Sequence, residues 1–205
     1  MNRTQMAARL QNFFQNPAYY KSIDINDSLQ DGLDEIAAFT GCIFKSATIP
    51  FTQNTTYYNM VNLIPDYIGV YAIFNAVIRR WMTPSSLRKF NQVRIDWETI
   101  GGTPFYFSPV SHRYLAIFRK PLVPAYGNMY VFYVASAPLL NDTTEIPIPD
   151  DHLSALESYS IQDLWEQNQE FSKAANYLET YSNNLESLRV YMQNKRNSDR
   201  QMSLR

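Results

Sequence analysis

Pro149-Asp150-Asp151-His152-Leu153-Ser154-Ala155-Leu156 is where the character of this chain changes. A proline, two acids and an apolar residue followed by Ala-Leu form a helix start: Pro149 leads in, and Asp150 or Asp151 caps the free amides and suits the positive end of the helix dipole. Downstream, apolar residues recur at Leu153, Leu156, Tyr159 or Ser160, Leu164, Phe171, Ala175, Leu178, Leu185 and Leu188, a helical spacing. The polar run Gln167-Asn168-Gln169, where the phase drifts, predicts a break into two helices. After Gln193 the sequence turns basic and polar and predicts an extended tail that a partner must order.

Upstream of Pro149 the pattern is that of strands. From Lys45 to Pro138, runs rich in Tyr, Phe, Val, Ile and Thr are bounded by Asn, Gly and Pro. They predict strands near 46–51, 56–61, 67–74, 77–81, 104–108, 113–118 and 128–135. Ile68–Phe74, Asn75-Ala76 and Val77–Arg80 read as a hairpin. Thr83-Pro84 reads as the cap and first residue of a short helix to about Gln92. Further upstream the helical pattern returns. Met6, Leu10, Phe13 and Phe14 mark one helix ended by Asn16-Pro17. Ile25, Leu29, Leu33 and Ile36, with Ala37, line a second from about Ile25 to Thr40, capped by Asp24 or Asn26 and stopped by Gly41. The predicted fold is α+β: a helical bundle from N- and C-terminal helices around a central β-rich insert, with an extended C-terminal tail. The segments are 1–44 (helices), 45–149 (β-rich insert), 150–192 (helices) and 193–205 (basic tail).

Composition bounds function. The 205 residues suffice for a core without disulfides, and the one cysteine, Cys42, lies in an apolar stretch as a buried thiol. Met1 to Asn12 lacks the apolar core of a signal peptide, and no apolar run approaches membrane-spanning length. The net charge of −1 is segregated: +3 over 1–21, −5 over 22–44, +6 over 45–120, −2 over 121–149, −6 over 150–192 and +3 over 193–205. Such blocks suit a molecule that meets neighbours through complementary patches rather than a dedicated nucleic-acid binder. Fifteen Tyr, twelve Phe and three Trp fit both strands and interfaces.

Catalytic readings find little support. Two histidines and scattered carboxylates assemble no nucleophile–base pair; Ser111-His112 are neighbours that diverge, and neither a Gly-x-Ser-x-Gly elbow nor a phosphate loop occurs. Asp150-Asp151-His152 reads as a helix cap, not a metal site, and Asp24, Asp27, Asp31 and Asp34 lack the spacing of a calcium loop. No cofactor, metal or enzymatic activity is expected. Arg79-Arg80, interleaved with Phe74 and Trp81, reads as a subunit or tail contact ahead of a DNA contact.

The order of motifs resembles the head-to-tail connector, or adaptor, proteins of tailed bacteriophages from about Ile25 to Tyr191. The matching pieces are Ile25-Asn26-Asp27-Ser28-Leu29 to Leu33; Leu63-Ile64-Pro65-Asp66-Tyr67-Ile68, with one residue inserted before the proline; Gly101-Gly102-Thr103-Pro104-Phe105-Tyr106; Tyr114 to Pro121; Tyr133 to Leu140; and Pro149 to Leu156. The aromatic richness and the apolar 66–83 hairpin depart from that pattern. The resemblance implies a structural virion protein, assembled in the host cytoplasm and placed at the neck. It implies a ring, typically of twelve copies, between the portal protein and a tail or tail-nozzle protein. Genomic DNA passes through the lumen without sequence-specific binding. The C-terminal tail, with Lys195, Arg196, Arg200, Met202, Leu204 and Arg205, is then the portal-binding segment. The alternative is a monomeric β-rich module that binds carbohydrate or protein through exposed aromatics.

Overall fold

The computed structural model describes residues 1–14, 21–122 and 127–203; the side chains of 22, 23 and 198–203 lie outside that description. The predicted end of the first helix at Asn16-Pro17 falls outside the described residues. The chain divides into a helical unit, Met1–Ile43 with Ser136–Arg205, and a β-rich unit, Phe44–Ala135. The β-rich unit therefore closes before 149, and residues 136–149 group with the helices.

The helical unit contains α1 (Arg3–Phe14), α2 (Ser22–Thr40), α5 (Leu153–Gln167) and α6 (Phe171–Ser203). The apolar stripe of α2 is as the spacing predicts: Ile25, Leu29, Leu33 and Ile36 are fully buried, with Ala37 beside them. Each such side chain contributes about 1.5–3 kcal/mol relative to exposure. Gly41 stops the helix in the left-handed region (φ 58°, ψ 41°), its N–H donating to Ala37 O at 2.9 Å. The start differs from expectation. Lys21 occupies the cap position, and Asp24 sits in the first turn, accepting the Lys21 backbone N–H at 3.3 Å.

Gly32 marks where α2 meets α5. A Cβ there would lie 2.5 Å from Tyr159 Cδ1 and 2.9 Å from Leu156 Cδ1. The glycine costs α2 some helix propensity and lets the two helices approach. α5 and α6 are separate helices, as the polar break predicts, with Gln169 in the left-handed region (φ 61°). The break shifts the phase of the stripe. In α6 the buried positions are Ala174, Tyr181, Leu185, Leu188 and Met192, while Phe171 and Leu178, expected in the core, are exposed. α6 also corrects the expected extended tail: it stays helical through 193 to Ser203, 33 residues or about 50 Å at 1.5 Å per residue.

Residues 136–149 are strapped to the helices. Leu140 N–H donates to Gln30 Oε1 (2.8 Å), Ile146 N–H to Met1 O (2.8 Å), and Arg3 Nη2 pairs with Asp142 (2.7 Å). The predicted caps Asp150 and Asp151 make no cap hydrogen bond. A 3₁₀ turn, Asp150–His152, leads into α5 instead; Asp150 lies 3.7 Å from the Met1 ammonium, and the His152 ring lies against Tyr191 at 4.9 Å.

The β-rich unit holds β1 (Phe44–Pro50), β2 (Tyr57–Asn59), α3 (Met60–Leu63), β3 (Tyr67–Asn75), β4 (Arg80–Trp81), β5 (Thr83–Pro84), α4 (Leu87–Val93), β6 (Tyr106–Val110), β7 (Tyr114–Phe118) and β8 (Asn128–Ala135). They form two four-stranded sheets in the orders β1-β8-β3-β4 and β2-β7-β6-β5. β8 alternates strictly: Met129, Val131, Tyr133 and Ala135 face inward. β7 is buried on both faces from Leu115 to Phe118. Phe90 of α4 and Trp97 pack with Ala116 and Phe118, and Trp97 Nε1 donates to Asn91 Oδ1 (2.8 Å).

Two local readings change. The hairpin exists, but its second strand is only Arg80–Trp81. The buried Asn75 side chain accepts the Val77 N–H (3.0 Å) and the Ile78 N–H (3.4 Å), holding 76–79 in a turn. Thr83-Pro84 is an edge strand beside β6, and Ser86 caps α4 by accepting the Lys89 N–H (3.3 Å).

Lys45, Asp66 and Tyr133 tie β1 and β8 to the segment before β3. Lys45 Nζ lies 2.6 Å from Asp66 Oδ2, and Tyr133 Oη donates to Oδ1 at 2.9 Å. Burial raises the Asp66 pKa, but the hydrogen bonds from Lys45 and Tyr133 outweigh it, and the net direction is downward. Burial and then Asp66 itself push Tyr133 up to about 12.

Two outcomes follow from these contacts. Gly32→Ala is expected to destabilise by about 1–3 kcal/mol despite the better helix former, because Tyr159 and Leu156 must give way; urea unfolding reads it. Asp66→Asn is expected to flatten the stability profile at both ends. The depressed carboxylate contributes stability above its unfolded pKa that is lost as pH falls. The raised phenol contributes stability below about pH 10 that is lost as pH rises toward 12. Melting temperatures across pH 2–12 for wild type and variant check this.

Candidate functional site

In the β-rich unit, Phe74, Arg79, Arg80 and Trp81 come together at one end of the first sheet. Phe74 and Trp81 are cross-strand partners with rings 5.3 Å apart. Trp81 meets Phe132 at 5.3 Å, and Phe74 stacks on Tyr130 at 6.3 Å. The four rings occupy the face opposite Met129, Val131 and Ile73. Trp81 is 40% exposed and Tyr130 41%. Arg79 takes a left-handed conformation (φ 51°) at the turn, and both arginines are exposed with no carboxylate at ion-pair distance among the described residues. Period-2 patterning hides such a face, because aromatic residues fall on both sides of β8 alike. The signal that finds it is cross-strand register.

In the helical unit, the expected portal-binding residues separate. Arg196 Nη2 donates to Thr40 O (2.8 Å) and Gly41 O (2.9 Å), so this cation closes the C-terminal end of α2. It acts within the subunit. Lys195 is exposed. The side chains of Arg200 and Met202, and Leu204 and Arg205 entirely, lie outside the described residues.

Sequence reasoning passed over a third feature. Asp31 of α2 and Asp163 and Glu166 of α5 gather around half-buried Tyr159 with Glu35. Burial, then Glu35, Asp163, Asp31 and Glu166, push the Tyr159 pKa up to about 12. Neutral groups hold three of these acids: Tyr181 Oη donates to Glu35 (2.8 Å), Gln162 to Glu166 (2.9 Å) and Gln167 to Asp163 (2.8 Å). Burial and Glu35 also raise the pKa of Tyr181. The acids are spaced along two sequence-distant helices, so no window of sequence displays them together.

Chemistry finds no constellation among the described residues. No group of three or more His, Cys, Asp or Glu side chains is placed to hold a metal. Cys42 is buried, and burial raises its thiol pKa. Ser111 Oγ accepts the Arg113 N–H (3.4 Å) in a turn. Among the described residues no helix is long and apolar enough to cross a membrane.

The family model described as SU10 adaptor protein matches residues 1–205, the full chain. The chain belongs to the SU10 adaptor protein family. The adaptor is thus a phage structural protein, as the resemblance implies, and a family of structural adaptors is generally non-enzymatic. No curated protein matches it.

Arg196→Gln in the adaptor is expected to cost about 1–3 kcal/mol by leaving two buried-side carbonyls without a charged donor. Hydrogen exchange is expected to accelerate selectively in the last turn of α2. Unchanged exchange there would contradict the capping role.

Proposed function

We propose that this chain is a head-to-tail adaptor, a ring of about twelve copies that joins the portal protein to a tail or tail-nozzle protein at the virion neck and lines part of the DNA channel. The observation that carries the reading is the family match over residues 1–205, with flanking helices around a β-rich insert. Copies assemble in the host cytoplasm before they join the neck.

The C-terminal end of α6 is the portal-facing segment in this reading. Arg196 is committed to α2, so the contact falls to Lys195 and to residues 200–205, where Arg200, Met202, Leu204 and Arg205 combine charge with apolar anchors. Helical continuation through 193 supports an ordered arm in place of a loose tail. Half-buried Phe74 and the exposed Arg79, Arg80 and Trp81 are a subunit or tail contact. The genome passes without base readout, since tight phosphate contacts would retard it. A monomeric binding module would account for the exposed aromatics but leaves the full-length family match unexplained.

Truncation separates the portal role from folding if the cut spares Arg196. A chain ending at 197 is expected to keep its melting temperature within a few degrees and to lose portal attachment in a pull-down. Virions carrying that truncation and still joining heads to tails normally would contradict the assignment.

A further inference from the structure

The two units carry opposite charge. Residues 44–135 hold nine Lys and Arg against three Asp and Glu, a net of +6, leaving −7 for the rest of the chain. Within the β-rich unit, ion pairs engage only Lys45 and Arg94 among the described cations. Arg79 and Arg80 stand next to Trp81, exposed and without a carboxylate at ion-pair distance among the described residues. Within the helical unit, Asp31, Asp163 and Glu166 pair with no cation among the described residues, and glutamine amides donate to Asp163 and Glu166. Each unit thus presents the charge that the other kind of unit lacks.

We propose that the Arg79-Arg80-Trp81 tip of one copy docks on the Asp31, Asp163 and Glu166 carboxylates of a second copy. The proposal rests on the ring reading and specifies its subunit contact. Two guanidinium groups beside an exposed tryptophan have the composition of an interface anchor, with Arg supplying directed hydrogen bonds and Trp supplying area. The acids of α2 and α5 repel one another, and arriving cations relieve that repulsion. Helix packing brings the acids together: Gly32, next to Asp31, lies directly against Tyr159, one helical turn before Asp163. The second copy is favoured over nucleic acid because the same chain supplies a matched excess of carboxylates. A contact between two different patches propagates from copy to copy and closes into a ring when the rotation allows.

Complementary charge reversal tests this with the full chain. One variant carries R79E and R80E; the other carries D31K, D163K and E166K. Assembly is read by mass photometry, and by negative-stain microscopy on purified portal. Each variant alone is expected to need at least about tenfold more protein than wild type for half-assembly. Their equimolar mixture is expected to restore rings holding both variants in equal number, which also shows that both are folded. Variants that each assemble like wild type, or a mixture that stays unassembled, would overturn the proposal. So would an R79E/R80E ring that forms normally and loses only its tail partner or its affinity for duplex DNA. A wild-type chain that stays monomeric even on its portal would overturn the ring reading itself.

Discussion

The pairing of β1 with β8 is the constraint on which this architecture depends. β1 follows the first pair of helices directly, and β8 ends at the residue before the chain returns to them. The antiparallel register from Phe44↔Val134 to Pro50↔Asn128 brings the two ends of the insert side by side. Only then can α1 and α2 share a core with α5 and α6, from which they are separated by more than a hundred residues. The closure of that long loop is offset by seven residue pairs between β1 and β8 and by the Lys45–Asp66–Tyr133 contact at the same end of the sheet. The helical core then follows from stripes that cannot be covered locally: Ile25, Leu29, Leu33 and Ile36 on one side, and Leu156, Ile161 and Leu164 on the other.

Much of this was legible in the residues. Strict alternation over 129–135, the 3.6-residue stripe of α2, the left-handed stop at Gly41 and the polar break at Gln167-Asn168-Gln169 each carry a local signal that the tertiary structure does not override. Local signals failed where a distant partner competes. Thr83-Pro84 looks like a helix start, yet β6 recruits it as an edge strand and leaves Ser86 to cap. Asp150 and Asp151 look like caps, yet Asp150 lies beside the Met1 ammonium. The basic composition after 193 looks disordered, yet Met192 is buried and Arg196 is anchored on the Thr40 and Gly41 carbonyls, far away in sequence.

The same limit applies to the candidate surfaces. Phe74, Arg79, Arg80 and Trp81 are near neighbours in sequence and were readable as one cluster. The aromatic face they join needs Tyr130 and Phe132 from β8, which only the register supplies. The carboxylates of α2 and α5 gather through helix packing at Gly32, and no pattern in either helix announces it. Charge segregation was visible early, but only the division at residues 43–44 and 135–136 makes it a contrast between two folded units.

Electron microscopy of purified virions, with class averages of the neck, tests the central claim most directly. The expected result is a ring of this α+β subunit between portal and tail. Virions whose neck lacks the chain, together with a monomer in solution, would contradict it.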